Sequence, residues 1–183
     1  GILTGSAIYH KDGHYEFIDL IAAEIGPLSQ INKPRLVCGE EITGFSGNQV
    51  ILPDRFTSKF DIQKGDFVTF QIKGVPAALE VAEIAAYDTV FLRQTRGTTA
   101  LLPLDTLGDL LGQTDGYSKI LIKPAEGVTA PELKIALQNC MPSEKYQISE
   151  ILNEAQIAAD ARQKSMPFFL ISFFALTMSI FII

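Results

Sequence analysis

The 183-residue chain has no tryptophan, only two cysteines and only two histidines, and its basic residues are outnumbered. Each scarcity excludes something. Fifteen Lys and Arg against 21 Asp and Glu give a formal net charge of −6. No basic stripe is available, so nucleic acid is excluded as a partner, because phosphate binding needs clustered cations. Cys38 and Cys140 carry no metal-site spacing. In a reducing compartment they are small buried hydrophobes, whereas an extracytoplasmic location permits a disulfide. His10 and His14 flank a turn and lack the further ligands that a metal needs, so they read as solvated turn residues. No G-x-S-x-G, H-E-x-x-H or P-loop occurs. No catalytic, cofactor-binding or metal residue is assigned, and the chain is expected not to be an enzyme. Low-complexity tracts and internal sequence repeats are also missing.

The most informative absence is local. From Met166 to Ile183 there is no charged residue, and five phenylalanines lie in the run. Eighteen residues at about 1.5 Å each reach about 27 Å, close to the hydrocarbon thickness of a bilayer. A buried core helix would show a polar stripe, which Ser172, Thr177 and Ser179 do not form. The expectation is the start of a transmembrane helix that continues beyond Ile183. At the other end, Gly1 to Ile8 has no basic n-region, so the chain reads as part of a longer protein.

Before the apolar run, Gln147 to Ser165 places Ile148, Ile151, Leu152, Ala155, Ala158, Ala159 and Arg162 at helical spacing. This predicts a stalk helix over 147–165 that feeds straight into the membrane helix starting at Met166, with a kink at Pro167. Arg162 and Lys164 would favour a cytoplasmic flank, offset by Asp160.

The part before residue 147 is strand-rich. Leu3–His10 and Tyr15–Ile21 predict a hairpin around Lys11-Asp12-Gly13. Pro27–Pro34 reads as a loop and Arg35–Cys38 as a short strand. Gln49–Leu52 reads as a strand and Pro53–Phe60 as a short helix. A tight turn at Asp61–Asp66 follows, with Gly65 supplying its geometry and Asp66 bonding its amides. Phe67–Ile72 alternates, and pairs with Ala78–Ala86 across Lys73–Pro76. Asp88–Arg96 is extended, Thr98–Leu102 a strand, and Leu104–Leu111 a helix. Lys119–Lys123, a helix capped by Thr129 and running to about Asn139, and Tyr146–Ile148 suggest a βαβ-like unit. The fold class is α+β, with a core domain over 1–146. It comprises a β-rich subdomain near 35–112 and an α/β subdomain from 1–26 and 115–146.

Other polar clusters have bland readings. Glu40-Glu41 and the Asp105/Asp109 pair are solvated surface before they are catalytic carboxylates. Arg93–Thr99 is an exposed polar loop, with a subunit contact as the alternative. Phe56, Phe60, Phe67 and Phe70 supply core, with a lipid- or lipoprotein-binding surface as the alternative.

Leu36-Val37-Cys38-Gly39-Glu40-Glu41, the segment Gln49–Val68 with its Lys64-Gly65-Asp66-Phe67-Val68 turn, and Leu121–Asn139 followed by a long helix and an apolar span occur in that order. In this arrangement the chain resembles the permeases of the MacB/FtsX/LolC-type ABC transporters. The resemblance implies a MacB-like periplasmic core domain of a membrane-spanning permease subunit in the cytoplasmic (inner) membrane, with residues 1–165 on the extracytoplasmic side. It implies dimerisation with a second permease subunit, a cytoplasmic ATPase that performs the hydrolysis, and contact with membrane lipid. A periplasmic adaptor, or a substrate lipoprotein or peptide, is a further implied partner. No cofactor is implied. The outer domain would then couple ATP hydrolysis to export, extraction or signalling. The alternative is a membrane-tethered extracytoplasmic adaptor without transport.

Overall fold

Asp12 and Gly13 both take positive φ, 52° and 78°. That geometry turns a right-twisted strand back on itself in two residues. It joins β1 (Leu3–Lys11) to β2 (His14–Ala22) in an unbroken antiparallel register from Leu3↔Ala22 to Lys11↔His14. The computed structural model describes residues 1–42, 44–91, 97–113, 116–141 and 145–149. They fall into two units, 1–123 and the described part of 124–183.

In the first unit the hairpin is followed by α1 (Ile25–Ile31), β3 (Gln49–Pro53) and α2 (Asp54–Phe60). Then come β4 (Phe67–Ile72), β5 (Val75–Ala85), a 3-10 turn at Thr89–Phe91, β6 (Thr98–Leu102) and α3 (Leu104–Leu111). The six strands close into a barrel in the order β1-β2-β6-β3-β5-β4. Closure removes both sheet edges, leaving no unpaired edge to template aggregation.

The barrel is built twice over. Each half is a hairpin, a strand and a helix: β1–β2, β3, α2, then β4–β5, β6, α3. Each hairpin pairs in parallel with the third strand of the other half, β2 with β6 and β5 with β3. The second hairpin turns on Lys73-Gly74, again with both φ positive, 49° and 82°. Pro53 and Pro103 cap α2 and α3 in the extended conformation, where a missing N–H costs nothing. Both helices end in a left-handed residue, Asp61 and Gly112. The seams between halves confirm the symmetry. Tyr9 and Phe70 each stand four residues before their turn glycine, and they pair with one another. Ile51 and Leu101 each stand two before their proline, and they too pair. Sequence patterning showed no repeat because the duplication lies in backbone geometry and the inserts between strands differ in length.

Strand alternation sorts side chains between two cores. Inward residues such as Leu20, Leu52, Phe70, Leu79 and Leu102 are fully buried inside the barrel, with Phe56 and Phe60 of α2 and Leu107 of α3 packed on them. At the other seam Ile51 and Leu101 point outward. They are covered by Leu28, Ile42, Val90 and Phe91, from the two inserts between strands.

Several expectations hold: the first hairpin, Gln49–Leu52, Pro53–Phe60, Phe67–Ile72, Thr98–Leu102 and Leu104–Leu111. Gly65 takes φ 90°, and Asp66 accepts from the Gln63 amide at 2.8 Å. Others are corrected. Pro27–Pro34 is not all loop, because Pro27 sits in the first turn of α1, where its missing N–H is tolerated. Arg35–Cys38 makes only isolated bridges, at Arg35 and Leu36. The turn before β5 is two residues tighter than expected. From residues 1–26, β1 and β2 are barrel strands beside β4 and β6, and Ile2 bridges Lys119 of the expected α/β partner segment. Lys119–Lys123 is not a strand: Lys119 alone bridges Ile2, and Ile120 and Ile122 remain exposed because the closed barrel offers no free edge.

In the second unit, α4 (Ala130–Cys140) starts with a reciprocal capping box. The Thr129 amide donates to Glu132 Oε2 at 2.8 Å, and the Glu132 amide donates to Thr129 Oγ1. Tyr146–Ile148 is not a strand, so no βαβ unit forms among the described residues. Gln147–Ser149 is not helical; the rest of the expected stalk, 150–165, and the apolar run 166–183 lie outside the described residues. Among the described residues no helix is long and apolar enough to cross a membrane.

Candidate functional site

Three surface features of the barrel unit have the form of a site. The first is a cleft of about 720 Å³ between the end of β2, the Gly44–Asn48 segment and the start of α3. Glu24, Asp105 and Asp109 line it. Thr106 fixes its wall by donating from Oγ1 to the Gly47 carbonyl at 2.6 Å. Asp105 and Asp109 are both solvent-facing, one turn apart on α3, as the surface reading expects.

The second is a cleft of about 380 Å³ at the β1–β4 end of the barrel. Tyr9, His10, Asp61, Asp66, Phe67 and Thr69 contribute to its wall. Tyr9 is only 6 % exposed. Its ring meets Phe56, Phe60 and Phe70 edge-on, with centroids 5.1, 4.9 and 6.0 Å away. Burial and the negative charge of Asp12 raise the Tyr9 pKa. Lys11, also in the wall, is held by donating to the Phe60 carbonyl at 2.5 Å.

The third is an apolar face beside that cleft. Phe17 and Ile8 are cross-strand partners on the outer surface of β2 and β1, and Tyr15 pairs with His10 in the next row. Tyr15 and Phe17 are each 70 % exposed and Phe67 is 74 % exposed. The imidazole of His10 stacks on Tyr15 at 4.3 Å. The opposite outer face of the barrel is covered by the chain's own inserts, while this one is left open. Exposed aromatics grouped this way mark an interaction surface more than a soluble one.

The residues singled out by sequence are scattered. His10 and His14 are exposed at the hairpin turn, and only His10 joins a cleft. Glu40 and Glu41 are exposed, and Glu41 pairs with Lys33 at 2.9 Å. Cys38 and Cys140 are both exposed free thiols, so neither is the small buried hydrophobe expected of a reducing compartment. Within Arg93–Thr99, residues 93–96 lie outside the described residues; Thr98 Oγ1 donates to Glu16 at 3.2 Å, and Thr99 is buried. Phe56, Phe60 and Phe70 are core, as expected, but Phe67 is not. The signal for Phe67 was present: in an alternating strand it falls in phase with Thr69 and Gln71, not with Val68, Phe70 and Ile72. Tyr9 and Asp61 carried no such signal, because a barrel end is assembled by closure. Among the described residues no group of three or more His, Cys, Asp or Glu could hold a metal ion.

No family model matches this sequence. No curated protein matches it. Among solved structures, the crystal structure of a domain ascribed to a permease protein of Porphyromonas gingivalis is similar at 13 % identity, with a TM-score of 0.43, over 80 % of this chain and 68 % of that one. A likeness of this size assigns neither fold family, activity nor partner to this chain.

Proposed function

We propose that this chain belongs to the membrane-spanning permease subunit of an ABC transporter, with residues 1–165 outside the cytoplasmic membrane and 166–183 beginning a transmembrane helix. The observation that carries the reading is the uncharged, Phe-rich run Met166–Ile183 behind a domain whose sequence motifs follow the order of such permeases. The subunit is no enzyme itself: a cytoplasmic ATPase hydrolyses the nucleotide, and a second permease subunit completes a dimer. The outer domain couples that hydrolysis to export, extraction or signalling outside the membrane. A closed barrel suits the role, because a stiff body transmits displacement with little internal yielding.

Co-purification tests the proposal. The full-length protein, tagged and extracted from its native membranes in mild detergent, should bring down an ATPase subunit in stoichiometric amount. Recovery without any ATPase would refute it. The open aromatic face of Ile8, Tyr15, Phe17 and Phe67 favours a second reading, a membrane-tethered protein-binding adaptor. A full-length gene encoding one membrane helix would select that reading, and three further helices the permease.

A further inference from the structure

The outer surface of the barrel is unequal on its two sides. Around Ile51 and Leu101 it is covered by the chain's own inserts, whereas around the β1–β4 seam it is bare. On the bare side one row of outward residues runs Phe17, Ile8, Gln71, Pro76 across β2, β1, β4 and β5. In the next row Tyr15 pairs with His10 and Thr69 with Ala78. Every side chain in the two rows is exposed, and none is Asp, Glu, Lys or Arg. The duplicated architecture makes the two halves of this face comparable. Counted from the turn glycines Gly13 and Gly74, Ile8 answers to Thr69, Tyr15 to Pro76 and Phe17 to Ala78. One hairpin therefore presents bulk wherever the other presents a smaller residue. Barrel closure leaves no strand edge here, so another chain can meet this face only through side chains.

We propose that this face is a twofold contact between two copies of the chain, with the axis running along the β1–β4 seam. Rotation about that axis exchanges the hairpins, so Phe17 and Tyr15 of each copy lie on Pro76 and Ala78 of the other. Bulk then meets hollow in both directions, as a contact between identical patches requires; an unrelated partner would not require it. Two barrels are convex and diverge on either side of their line of contact, and the rings on β2 fill that gap against the partner's β5. The chain carries a net charge of −6, so copies repel in general, and an uncharged face lets them meet without opposing like charges. A stable contact of ordinary size takes about 800 Å² from each partner. A buried aromatic side chain contributes about 150–250 Å². Tyr15 and Phe17, each 70 % exposed, with Phe67, 74 % exposed and next outward on β4, therefore supply about half of that area. The remainder comes from the exposed neighbours in the two rows. The contact would give the proposed subunit dimer its surface, but it rests on the barrel and not on the permease reading: co-purification of an ATPase and association through this face succeed or fail separately.

Cross-linking tests the geometry. In the full 183-residue chain in non-ionic detergent, Cys38 and Cys140, both exposed, are first replaced by Ser. Tyr15→Cys is then made in a tagged copy and Ala78→Cys in an untagged one, and the two are mixed and treated with a short bismaleimide. The mixture should give cross-linked dimer in several-fold greater yield than either variant alone, because like positions lie on opposite sides of the axis. Sedimentation equilibrium in density-matched detergent reads the affinity. Phe17→Glu should weaken the dimer about tenfold or more, the scale of an aromatic anchor lost from an interface. It should leave the melting temperature unchanged, since the side chain is exposed in the single copy. Equal cross-linking in the mixture and in the single variants would overturn the proposal. So would a dimer indifferent to Phe17→Glu, the result of association through the apolar run alone, or a monomeric chain, which would leave the face to a different protein.

Discussion

Phe67 and Phe70 lie three residues apart on β4, yet they answer to opposite environments. Phe70 is fully buried, paired with Tyr9 across the seam between the two halves of the barrel, with its ring edge-on to Tyr9 at 6.0 Å. Phe70→Ala removes a ring from a closed interior whose walls are tied by six strands and cannot collapse far. Such a change costs about 3–5 kcal/mol, including the cavity it leaves, and the aromatic pair adds about 0.5–1.5 kcal/mol of that specificity. Phe67→Ala deletes the same atoms from a side chain 74 % exposed, and should stay within about 0.5 kcal/mol. Urea unfolding of the full chain in a non-ionic detergent, followed by far-ultraviolet circular dichroism because there is no tryptophan, reads both. With a slope of about 2 kcal/mol per molar, Phe70→Ala should lower the midpoint by about 2 M while Phe67→Ala leaves it nearly unchanged. Equal losses for the two variants would refute the assignment of inner and outer faces on β4, and with it the barrel register.

Gly13→Ala and Gly74→Ala place a Cβ at φ 78° and 82° in equivalent turns. Each should cost about 1–2 kcal/mol by the same unfolding assay, and strongly unequal losses would contradict the duplicated architecture. The raised Tyr9 pKa means that its stabilising contribution is complete below the ordinary tyrosine range and is lost as pH rises through the raised value. Alkaline unfolding should therefore shift to higher pH in Tyr9→Phe, measured by circular dichroism. The Glu132 pKa is lowered, first by the Thr129 backbone amide and then by its hydroxyl. Its contribution to α4 is present above the ordinary glutamate range and disappears as pH falls through the lowered value. The protection factors of the Glu132 and Leu133 amides, corrected for intrinsic exchange, should fall on acidification in the parent chain, and a Glu132→Gln variant should lack that pH dependence.

The elements that sequence made legible are those specified by neighbours along the chain. Asp12-Gly13 announces a two-residue turn, Val68, Phe70 and Ile72 mark a buried face, and Pro53 and Thr129 announce helix starts. The barrel itself was hidden because its decisive pairings, β2 with β6 and β3 with β5, join residues far apart in sequence through parallel registers. Ile120 and Ile122 misled for the same reason: an apolar run predicts a strand only where a sheet edge is free to receive it. The cleft around Tyr9 was invisible for want of any motif. Its members come from β1, β4 and the turn after α2, and barrel closure alone brings them together.

The account depends most on the run Met166–Ile183 entering lipid. Alkaline carbonate extraction of membranes from cells expressing the full 183-residue chain measures this directly. The account predicts that the chain stays in the membrane pellet, and that it is released when Leu170, Phe174 and Met178 are each replaced by Asp, since charges at the centre of a span are costly. Quantitative release of the unaltered chain into the supernatant would contradict it.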